Sequence, residues 1–524
     1  MLGVWIIMAE TIGDAGKTYA RRFVKQSTTI FASLIAAALV AFLFRIFLAR
    51  TLGTEGYGLF YSVLALVLIL GTFRDLSIGQ SVIKFIPEFI AKNRNEKIKS
   101  SIAFYALVQI IFSLSMGILL VALSDWLAVT FFGIPEASLV IKFLSGWFLF
   151  HAIFYVFKIS FQGFSEMTHL SLLGFLEMLL PFVFALIIFG TLGSSAANVG
   201  LAYFAGFGVL SLVALVLFLR KHTDLLRTKT VISKSLIKEL FSFALPVLIG
   251  GGAGIMLGQL NILLLMWLRS LPDVGLYQAA YPAANLLMYL PIAVGTVLFP
   301  MTSELWTKRK KELIGHAMGS LIKFSFIVIT PAALIVISFP DLVIDLLFGP
   351  EYLAATVVLQ VLVVNAVVGA ILVVPERVIL GIGRSGTNTI ILSVRASLIL
   401  VFNLILIPLF GAVGVAGATL LSSLGGLLLA IYFARKFIKF KIPFSPILIT
   451  LIGSTLTLLL VSILKAVIDL SPFVELFAVV VPSLLFYVVW ILFTRALDMH
   501  DLLLIKNTVP IPKWLFRVAK KLIG

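Results

Sequence analysis

Long apolar stretches alternate with short polar, mostly basic stretches along the chain of 524 residues. A transmembrane helix needs about 20 consecutive, mostly apolar residues, and at that length the pattern predicts fourteen spans. Numbered 1 to 14, they lie at residues 27–49, 57–79, 100–122, 139–160, 169–190, 197–219, 240–267, 275–300, 315–338, 353–374, 387–408, 411–434, 444–465 and 473–494. Little chain is left between them, so the pattern predicts an all-α integral membrane protein with about fourteen transmembrane helices.

The composition agrees with this prediction and removes several kinds of site. Hydrophobic residues make up 61% of the chain and charged residues only 12%, against about 45–50% and about 25% in an ordinary globular domain. The absence of cysteine excludes disulfides, thiolate metal sites and cysteine nucleophiles. The five histidines are dispersed without a metal-ligand spacing, so we expect neither a metal site nor catalytic residues.

Lysine and arginine are distributed unevenly among the connecting segments. The N-terminal segment, every second loop and the C-terminal segment carry 32 of the 40 basic residues. By the positive-inside rule, both termini are predicted on the cytoplasmic side of the cell membrane. This basic face next to anionic lipid explains the net charge of +17, which therefore requires no nucleic-acid partner.

Two parts of the chain repeat a short motif. The sequence RTLGTEG at 50–56 recurs as RSLPDVG at 269–275, with Arg, Leu and Gly at the same spacing. Such a repeat is typical of transporters built from two lobes, so we predict two six-helix lobes related by a pseudo-two-fold repeat. The predicted organisation is an N-terminal segment (1–26), an N-lobe (27–219), a basic linker (220–239), a C-lobe (240–434), two further spans (444–494) and a basic C-terminal tail (495–524).

Three stretches together resemble a known family. They are RIFLARTLGTEGYGLFYSVLALVLILGTFRDLSIGQSVIKFIPEF at 45–89, LFGPEYLAA at 347–355 and IPLFGAVGVAGATLLS at 407–422. Their order and spacing are similar to those of the polysaccharide transporter branch of the multidrug/oligosaccharidyl-lipid/polysaccharide (MOP) exporter superfamily. The resemblance implies a V-shaped, MATE-like pair of lobes that flips a polyprenyl-linked oligosaccharide from the cytoplasmic to the outer leaflet. It also implies that spans 13 and 14 are associated with the lipid tail.

That role would give a purpose to the arginines in and near the spans. A lipid-linked sugar carries a phosphate or diphosphate, whose oxygens a guanidinium binds through two parallel hydrogen bonds. A charge within a span costs about 2.5–3.5 kcal/mol, so compensation is expected. As alternatives, the arginines at span ends can snorkel to headgroups, and Arg74 can be neutralised by Asp75. The candidate substrate-binding residues are Arg45, Arg50, Arg74, Arg269 and Arg395, with Asn388 on nearly the same helix face as Arg395.

Polar residues also form stripes along one helix face in spans 4 and 8. These residues are His151, Tyr155, Lys158 and Gln162 in span 4, and Gln278, Tyr281 and Asn285 in span 8. Polar groups in register favour a water-filled cavity for the substrate, in which Tyr155 and Tyr281 stack on sugar rings. The alternative is hydrogen bonding between helices, worth about 0.6 kcal/mol per contact.

Acidic and glycine-rich positions are candidates for ion coupling and for movement. Glu177 in span 5 has no charged neighbour in sequence, and with Asp75 it is a candidate ion-coupling residue; the alternative for Glu177 is a neutral acid hydrogen-bonded to another helix. Span 7 contains a proline and spaced glycines, which favour either a hinge or close helix packing. The hinge candidates are Pro246, Gly250, Gly254 and Gly258.

Two sequences resemble nucleotide-binding motifs without their context. GKT at 16–18 lacks the first glycine of a P-loop, and GIGRSG at 381–386 joins two spans instead of a strand and a helix. We therefore expect no cofactor, and a coupling ion such as H⁺ or Na⁺ for any uphill transport.

The expected function is that of a flippase for cell-surface polysaccharide or glycoprotein biosynthesis, not an enzyme. Its partners would be the lipid-linked oligosaccharide and membrane lipid, and it would act as a monomer in the plasma membrane beside a glycan polymerase or glycosyltransferases. One alternative is an ion-coupled multidrug/cation antiporter of the same superfamily, which would depend on more intramembrane acids. The other is a membrane glycosyltransferase or ligase, which would carry acids on a large outer loop.

Overall fold

The computed structural model describes residues 13–468 and 472–497, and within these ranges the chain is helical and has no strand. The ends of the predicted terminal segments, 1–12 and 498–524, lie outside the described residues. The helices are α1 Gly13–Asp75, α2 Ile78–Ala91, α3 Asn95–Thr130, α4 Ala137–Gly163, α5 Met167–Leu192, α6 Ala196–Lys221, α7 Thr223–Arg227, α8 Lys234–Leu268, α9 Leu271–Asn285, α10 Tyr289–Thr307, α11 Lys311–Ser338, α12 Pro340–Phe348, α13 Thr356–Gly381, α14 Ser385–Phe437, α15 Phe444–Val467 and α16 Pro472–Phe493.

The described residues contain ten helices that are long and apolar enough to cross a membrane, or eleven when a bent pair counts as one span. In that pair, α9 and α10 meet at a bend of 45°. The structure therefore does not confirm the count of fourteen. Spans 1 and 2 form one helix, α1, and spans 11 and 12 form another, α14, which lowers the count by two. Span 7 lies in α8, whose described apolar segment Gly258–Leu268 is shorter than a membrane span.

Glycines break these two long helices. Gly53 in α1 has φ 66° and Gly411 in α14 has φ 55°, and neither residue has helical backbone angles. A positive φ costs little for glycine but is strained for residues with a side chain. Gly53 lies between predicted spans 1 and 2, and Gly411 is the first residue of predicted span 12, so a glycine kink takes the place of the predicted turn at both positions.

The chain packs as two compact units, unit 1 at Met1–Gln278 and unit 2 at Ala279–Gly524. The division falls within α9, whereas the predicted linker 220–239 holds α7 and the start of α8, inside unit 1. The boundaries of the predicted lobes remain predictions.

Two backbone segments of unit 1 cross without side chains between them. A Cβ atom added to Gly58 would overlap the carbonyl group of Leu271, and one added to Gly275 would overlap the carbonyl group of Thr54. Only glycine permits this approach. The contacts are reciprocal, because one shift along the chain relates Thr54 to Leu271 and Gly58 to Gly275. This shift is two residues shorter than the one between the two sequence motifs, so the contacts are near the motifs but do not follow the register of the predicted repeat.

Aromatic residues fill the interior of unit 1, and aliphatic residues cover its outside. Tyr57, Phe60 and Phe148 are fully buried. Ile118 and Val129 on α3, in contrast, are 68% and 64% exposed. An apolar outer surface is the expected consequence of a lipid solvent, in which burial of apolar groups gives no advantage over contact with the acyl chains.

Unit 2 has its own apolar core around α11, α13 and the end of α14. Its buried residues include Met318, Val378 and Ala434. A second cluster joins α11 to α16, where the Tyr487 hydroxyl donates a hydrogen bond of 3.0 Å to the carbonyl oxygen of Ile327. The last two described helices are thereby tied to the rest of unit 2.

Candidate functional site

Arg74, near the end of α1, is a buried cation that is bound by neutral groups. Its side chain is only 4% exposed. Nη1 donates to the carbonyl oxygen of Phe148 at 3.1 Å, and Nη2 lies 2.8 Å from Nδ1 of His151. Since arginine is always a donor, Nδ1 of His151 accepts, and the neutral ring carries its proton on Nε2. The His151 ring stacks on Tyr155 at a centroid distance of 5.5 Å.

Asp75 turns to a different helix from its neighbour Arg74. Its Oδ1 accepts hydrogen bonds from the Tyr105 hydroxyl at 2.6 Å and from Nε2 of Gln109 at 2.9 Å. Tyr105 and Gln109 on α3 are both fully buried. A Cβ atom at Gly79 would lie 2.9 Å from the Tyr105 hydroxyl, so the glycine leaves room for this network. Tyr105 and Gln109 were not among the predicted site residues, although their spacing of four residues in span 3 places them on one helix face.

Lys158 on α4 forms an ion pair with Glu177 on α5. The side chains are 23% and 14% exposed, so the pair is largely shielded from solvent. Lys158 Nζ also lies 5.5 Å from the centroid of the Phe154 ring. Glu177, which has no charged neighbour in sequence, therefore has a cationic partner in space.

The four residues of the predicted α4 stripe are accessible to different degrees. His151, Tyr155 and Lys158 are half-buried, and Gln162 is exposed. Residues that lie between the stripe positions in sequence, such as Phe154, are fully buried. The structure therefore brings together His151, Tyr155 and Arg74, and separately Lys158 and Glu177, while Gln162 lies at the exposed end of the stripe.

Arg45 on α1 lies among tyrosines. Its guanidinium carbon is 4.8 Å from the centroid of the Tyr61 ring. Its Nη1 atom is buried and has no hydrogen-bond partner among the described residues. The Tyr61 ring packs edge-on against Tyr57, at a centroid distance of 4.7 Å. This arrangement leaves one strong donor available at a place where an unpaired donor is costly. Arg50, three residues before the kink at Gly53, and Arg269, which follows α8, are exposed.

Unit 2 contains a second ion pair between membrane-spanning helices. Nη1 of Arg395 on α14 lies 3.0 Å from Oε1 of Glu376 on α13, and these side chains are 25% and 17% exposed. The Nε atom of Arg395 is buried without a partner among the described residues. A Cβ atom at Gly426 would overlap the Arg395 side chain, so this glycine makes room for it. On the same helix, Asn388 is 9% exposed, and its buried Oδ1 also has no partner among the described residues.

Glu376 was not among the predicted site residues. Span 10 is predicted to end at 374, with the following residues in a loop, whereas α13 continues through Pro375 to Gly381. The helix therefore extends seven residues past the predicted end of the span, and its proline is of the kind tolerated within transmembrane helices. Arg377 packs against α10, where a Cβ atom at Gly295 would lie 3.1 Å from its Cγ.

The two ion pairs occupy corresponding positions of the predicted repeat. In each pair the partners are 19 residues apart in the chain. One shift along the chain relates Lys158 to Glu376 and Glu177 to Arg395, and this shift is one residue shorter than that between the two sequence motifs. The polarity is reversed, since the cation comes first in unit 1 and the acid comes first in unit 2.

The remaining predicted residues lie on α8 and α9. Gln278 is buried, while Tyr281 and Asn285 are exposed, so the stripe of span 8 does not have one uniform environment. α8 is helical from Lys234 to Leu268. The packing around Pro246, Gly250 and Gly254 lies outside the described part of the structure, and no atom lies within 4 Å of a Cβ added to Gly258. The hinge thus remains a prediction. No group of three or more metal-ligating side chains occurs among the described residues.

Comparisons with known proteins give the relationships of the chain. A family described as "polysaccharide biosynthesis protein" matches residues 23–306. The membrane protein MJ1068 of Methanocaldococcus jannaschii is 29% identical over 464 residues, which is 86% of this chain and 92% of that protein. The probable low-salt glycan biosynthesis flippase Agl15 of Haloferax volcanii is 24% identical over 210 residues, which is 40% of this chain and 44% of Agl15.

Among solved structures, the lipid II flippase MurJ in an inward closed conformation has a TM-score of 0.70 to this chain. The sequence identity is 14%, and the match covers 89% of this chain and 98% of MurJ. This likeness confirms the predicted all-α membrane fold. Agl15 and MurJ are both described as flippases. Because the family match spans more than half of the sequence and confirms the resemblance, the chain belongs to the polysaccharide biosynthesis protein family.

Proposed function

We propose that the protein flips a polyprenyl-(di)phosphate-linked oligosaccharide from the cytoplasmic to the outer leaflet by alternating access. Family membership supports a role in polysaccharide assembly, and the names of Agl15 and MurJ support flipping of a lipid-linked glycan. The proposal includes a setting in the plasma membrane with both termini cytoplasmic. The protein acts there as a monomer beside a glycan polymerase or glycosyltransferases.

The observation that carries the proposal is the environment of Arg45. A buried Nη1 without a described partner is a donor prepared for an acceptor that arrives with the substrate. Phosphate oxygens are suitable acceptors because they are anionic and match the planar guanidinium. The neighbouring Tyr61 ring stabilises the cation while the anion is absent. Arg45 would therefore bind the substrate phosphate during its passage.

The polar residues of α4 supply a second part of the site. Tyr155 is half-buried, and its ring offers a stacking surface of the kind that binds sugar rings. Gln162, at the exposed end of the same stripe, offers both a donor and an acceptor for glycan hydroxyls. These groups would bind the glycan as it enters.

The ion pair of unit 1 offers a route to proton coupling. When a substrate phosphate binds Lys158, the anion competes with Glu177 for the same ammonium group. A carboxylate that loses its cation in a shielded place favours the protonated form. Glu177 would then take up H⁺ as the substrate binds and release it when the pair re-forms. Na⁺ is the alternative coupling ion, because it can also neutralise the freed carboxylate.

The test is transport of a lipid-linked oligosaccharide by purified protein in reconstituted vesicles. Arg45→Ala should reduce flipping by at least about 100-fold, since removal of a charge-assisted contact in a shielded site costs about 3 kcal/mol. Arg45→Lys should recover part of the activity, because lysine keeps the charge but loses the bidentate geometry. Full activity of either variant would contradict the role of Arg45.

A matched control uses a cation with an exposed ion pair. Lys142 pairs with Asp125 at 3.0 Å, and both side chains are exposed. Lys142→Ala should flip the substrate at the normal rate, because such pairs contribute little. Expression and thermal unfolding of all variants are measured alongside, so that loss of protein is distinguished from loss of transport.

A further inference from the structure

A basic cavity lies within unit 2, and neither Glu376 nor Arg395 lines it. It has a volume of 820 Å³ and is bordered by the first half of α11, the end of α14 and the start of α15. Its lining includes four cations and one carboxylate, with a histidine beside them. These residues are Lys323, Arg435, Lys439, Lys441, Glu312 and His316. The excess of cations favours an anionic ligand.

The wall of the cavity is a non-helical segment held against α11. Residues 438–443 connect α14 to α15 without helical structure. A Cβ atom at Gly315 would overlap the Lys439 carbonyl group, and one at Gly319 would lie 3.1 Å from the carbonyl oxygen of Lys441. The two glycines thus allow the segment to lie directly on the α11 backbone. Close backbone packing fixes the places from which the Lys439 and Lys441 side chains project into the lining.

Packing of aromatic residues supports the same segment. Phe440 packs against the buried core of unit 2. The guanidinium carbon of Arg435 lies 5.9 Å from the centroid of the Phe440 ring, within range of a cation–π contact. Arg435 is therefore oriented at the rim of the cavity from the last turn of α14, next to the two lysines.

An apolar stripe runs along α14 from the cavity. Leu428 and Tyr432 are 70% and 61% exposed, and with Arg435 they follow the spacing i, i+4, i+7 of one helix face. Phe444 and Leu448 on α15 are exposed to a similar extent. A polar cavity that continues into lipid-facing apolar side chains has the two-part chemistry of a phospholipid.

We propose that this cavity binds the phosphate headgroup of an anionic membrane phospholipid, with its acyl chains along the exposed faces of α14 and α15. Basic pockets at the cytoplasmic ends of transmembrane helices suit anionic headgroups, and each Lys or Arg near the surface contributes about 1 kcal/mol. The phosphate accepts hydrogen bonds from Arg435, Lys439 and Lys441. The site does not depend on the transported substrate, so it stands whether or not the proposed function is correct.

The test measures lipid binding to the purified protein by native mass spectrometry, with phosphatidylglycerol as the anionic probe and phosphatidylcholine as the zwitterionic one. We expect the wild type to retain phosphatidylglycerol in preference to phosphatidylcholine. Lys439→Gln/Lys441→Gln should weaken phosphatidylglycerol binding by about 10- to 30-fold, which corresponds to the loss of two cation contacts. Binding of phosphatidylcholine should stay unchanged.

The matched control removes the same total charge elsewhere. Lys234 and Lys436 are exposed and do not line the cavity. Lys234→Gln/Lys436→Gln should bind phosphatidylglycerol as the wild type does. An equal loss in both double variants, or no loss in the cavity variant, would overturn the proposal. So would displacement of the bound lipid by polyprenyl phosphate at concentrations at which excess phosphatidylglycerol does not displace it, since the cavity would then be a substrate site.

Discussion

Unit 1 and unit 2 each contain an ion pair between consecutive membrane-spanning helices, and the two pairs differ in polarity and in the type of cation. In unit 1 the pair is Lys158 with Glu177, and in unit 2 it is Arg395 with Glu376. The corresponding positions in the repeat are charged in both units, yet each position carries the opposite sign. The property common to both units is therefore a pair of opposite charges between consecutive helices, and not a particular direction of charge.

The type of cation separates the two pairs chemically. Lysine can give up its proton in a shielded environment, whereas arginine remains charged. The unit 1 pair can thus become neutral when a proton passes from lysine to glutamate, and the unit 2 pair cannot. This difference makes unit 1 the better candidate for a proton-coupled step and unit 2 the better candidate for a permanent charge.

Reversal of one member of a pair is the most severe test of this comparison. Lys158→Glu places two carboxylates side by side, and loss of a buried partner alone costs about 3–5 kcal/mol. We expect almost no folded protein after solubilisation. Lys158→Glu/Glu177→Lys restores the pair with the polarity of unit 2 and should recover stability to within about 1 kcal/mol. Size-exclusion profiles and thermal unfolding report both outcomes.

A matched reversal at an exposed pair controls for charge in general. Lys92 and Glu88 form a pair at 2.6 Å, four residues apart and exposed. Lys92→Glu should leave the amount of folded protein unchanged. If Lys158→Glu were tolerated equally well, the pair in unit 1 would not contribute to the fold.

Neutralisation of the acids should give a smaller effect that differs between the units. Glu376→Gln leaves Arg395 as a shielded cation that cannot lose its charge, so we expect a loss of about 3–5 kcal/mol. Glu177→Gln leaves Lys158, which can deprotonate, so we expect only about 1–2 kcal/mol. The unfolding midpoints of the two variants should differ accordingly. Equal midpoints would remove the chemical distinction between the pairs.

The network of Asp75 provides an intermediate case, because its described hydrogen bonds come from neutral groups. Tyr105→Phe removes one donor to Oδ1 and should cost about 1–2 kcal/mol. Asp75→Asn keeps an acceptor and should cost a similar amount. Thermal unfolding measures both, with Tyr289→Phe at an exposed position as the control, which should stay within about 0.5 kcal/mol. If Asp75→Asn lowered the free energy of unfolding as much as Glu376→Gln does, Asp75 would act mainly as a counter-charge.

The smallest effect on stability is expected from single cysteines that locate the membrane sides. The chain has no cysteine, and Ser194, after α5, and Ser303, on α10, are exposed. Ser194→Cys should react with a membrane-impermeant reagent from outside and Ser303→Cys from inside, without a measurable change in unfolding. The reverse labelling would contradict the predicted orientation and the proposed direction of transport.

The parts of the fold that sequence predicted are those set by local physics. Apolar length predicted the helices, and glycine at positions such as Gly53 and Gly411 marked the ends of predicted spans that the structure joins by kinks. Whether such a glycine makes a turn or a kink depends on packing of the flanking helices, which the local sequence does not contain. The number of separate helices was therefore less predictable than their positions.

The candidate site was only partly predictable, because its contacts join distant residues. Arg74 and Glu177 stood out as charges in apolar surroundings, but nothing in sequence connected Arg74 to His151 or Glu177 to Lys158. Glu376 was hidden by the proline before it and the arginine after it, which together look like a loop. Its partner Arg395 could have suggested it, since intramembrane cations commonly pair with an acid on a neighbouring helix.

The crossing of Gly58 and Gly275 has a consequence for the biogenesis of the protein. The two segments are separated by about 200 residues of chain, and at about 5–20 residues per second the ribosome needs roughly 10–40 s between them. During this interval the helical backbone around Gly58 has been synthesised while its partner has not. The peptide groups of a helix are hydrogen-bonded within the helix, so it is stable in lipid before its partner is present. The unpaired glycine surface can nevertheless pack against another helix with small residues before its partner is synthesised. Faithful assembly of unit 1 thus depends on the arrival of the segment 269–275 before such a competitor, and slower translation of the intervening chain should increase misassembly.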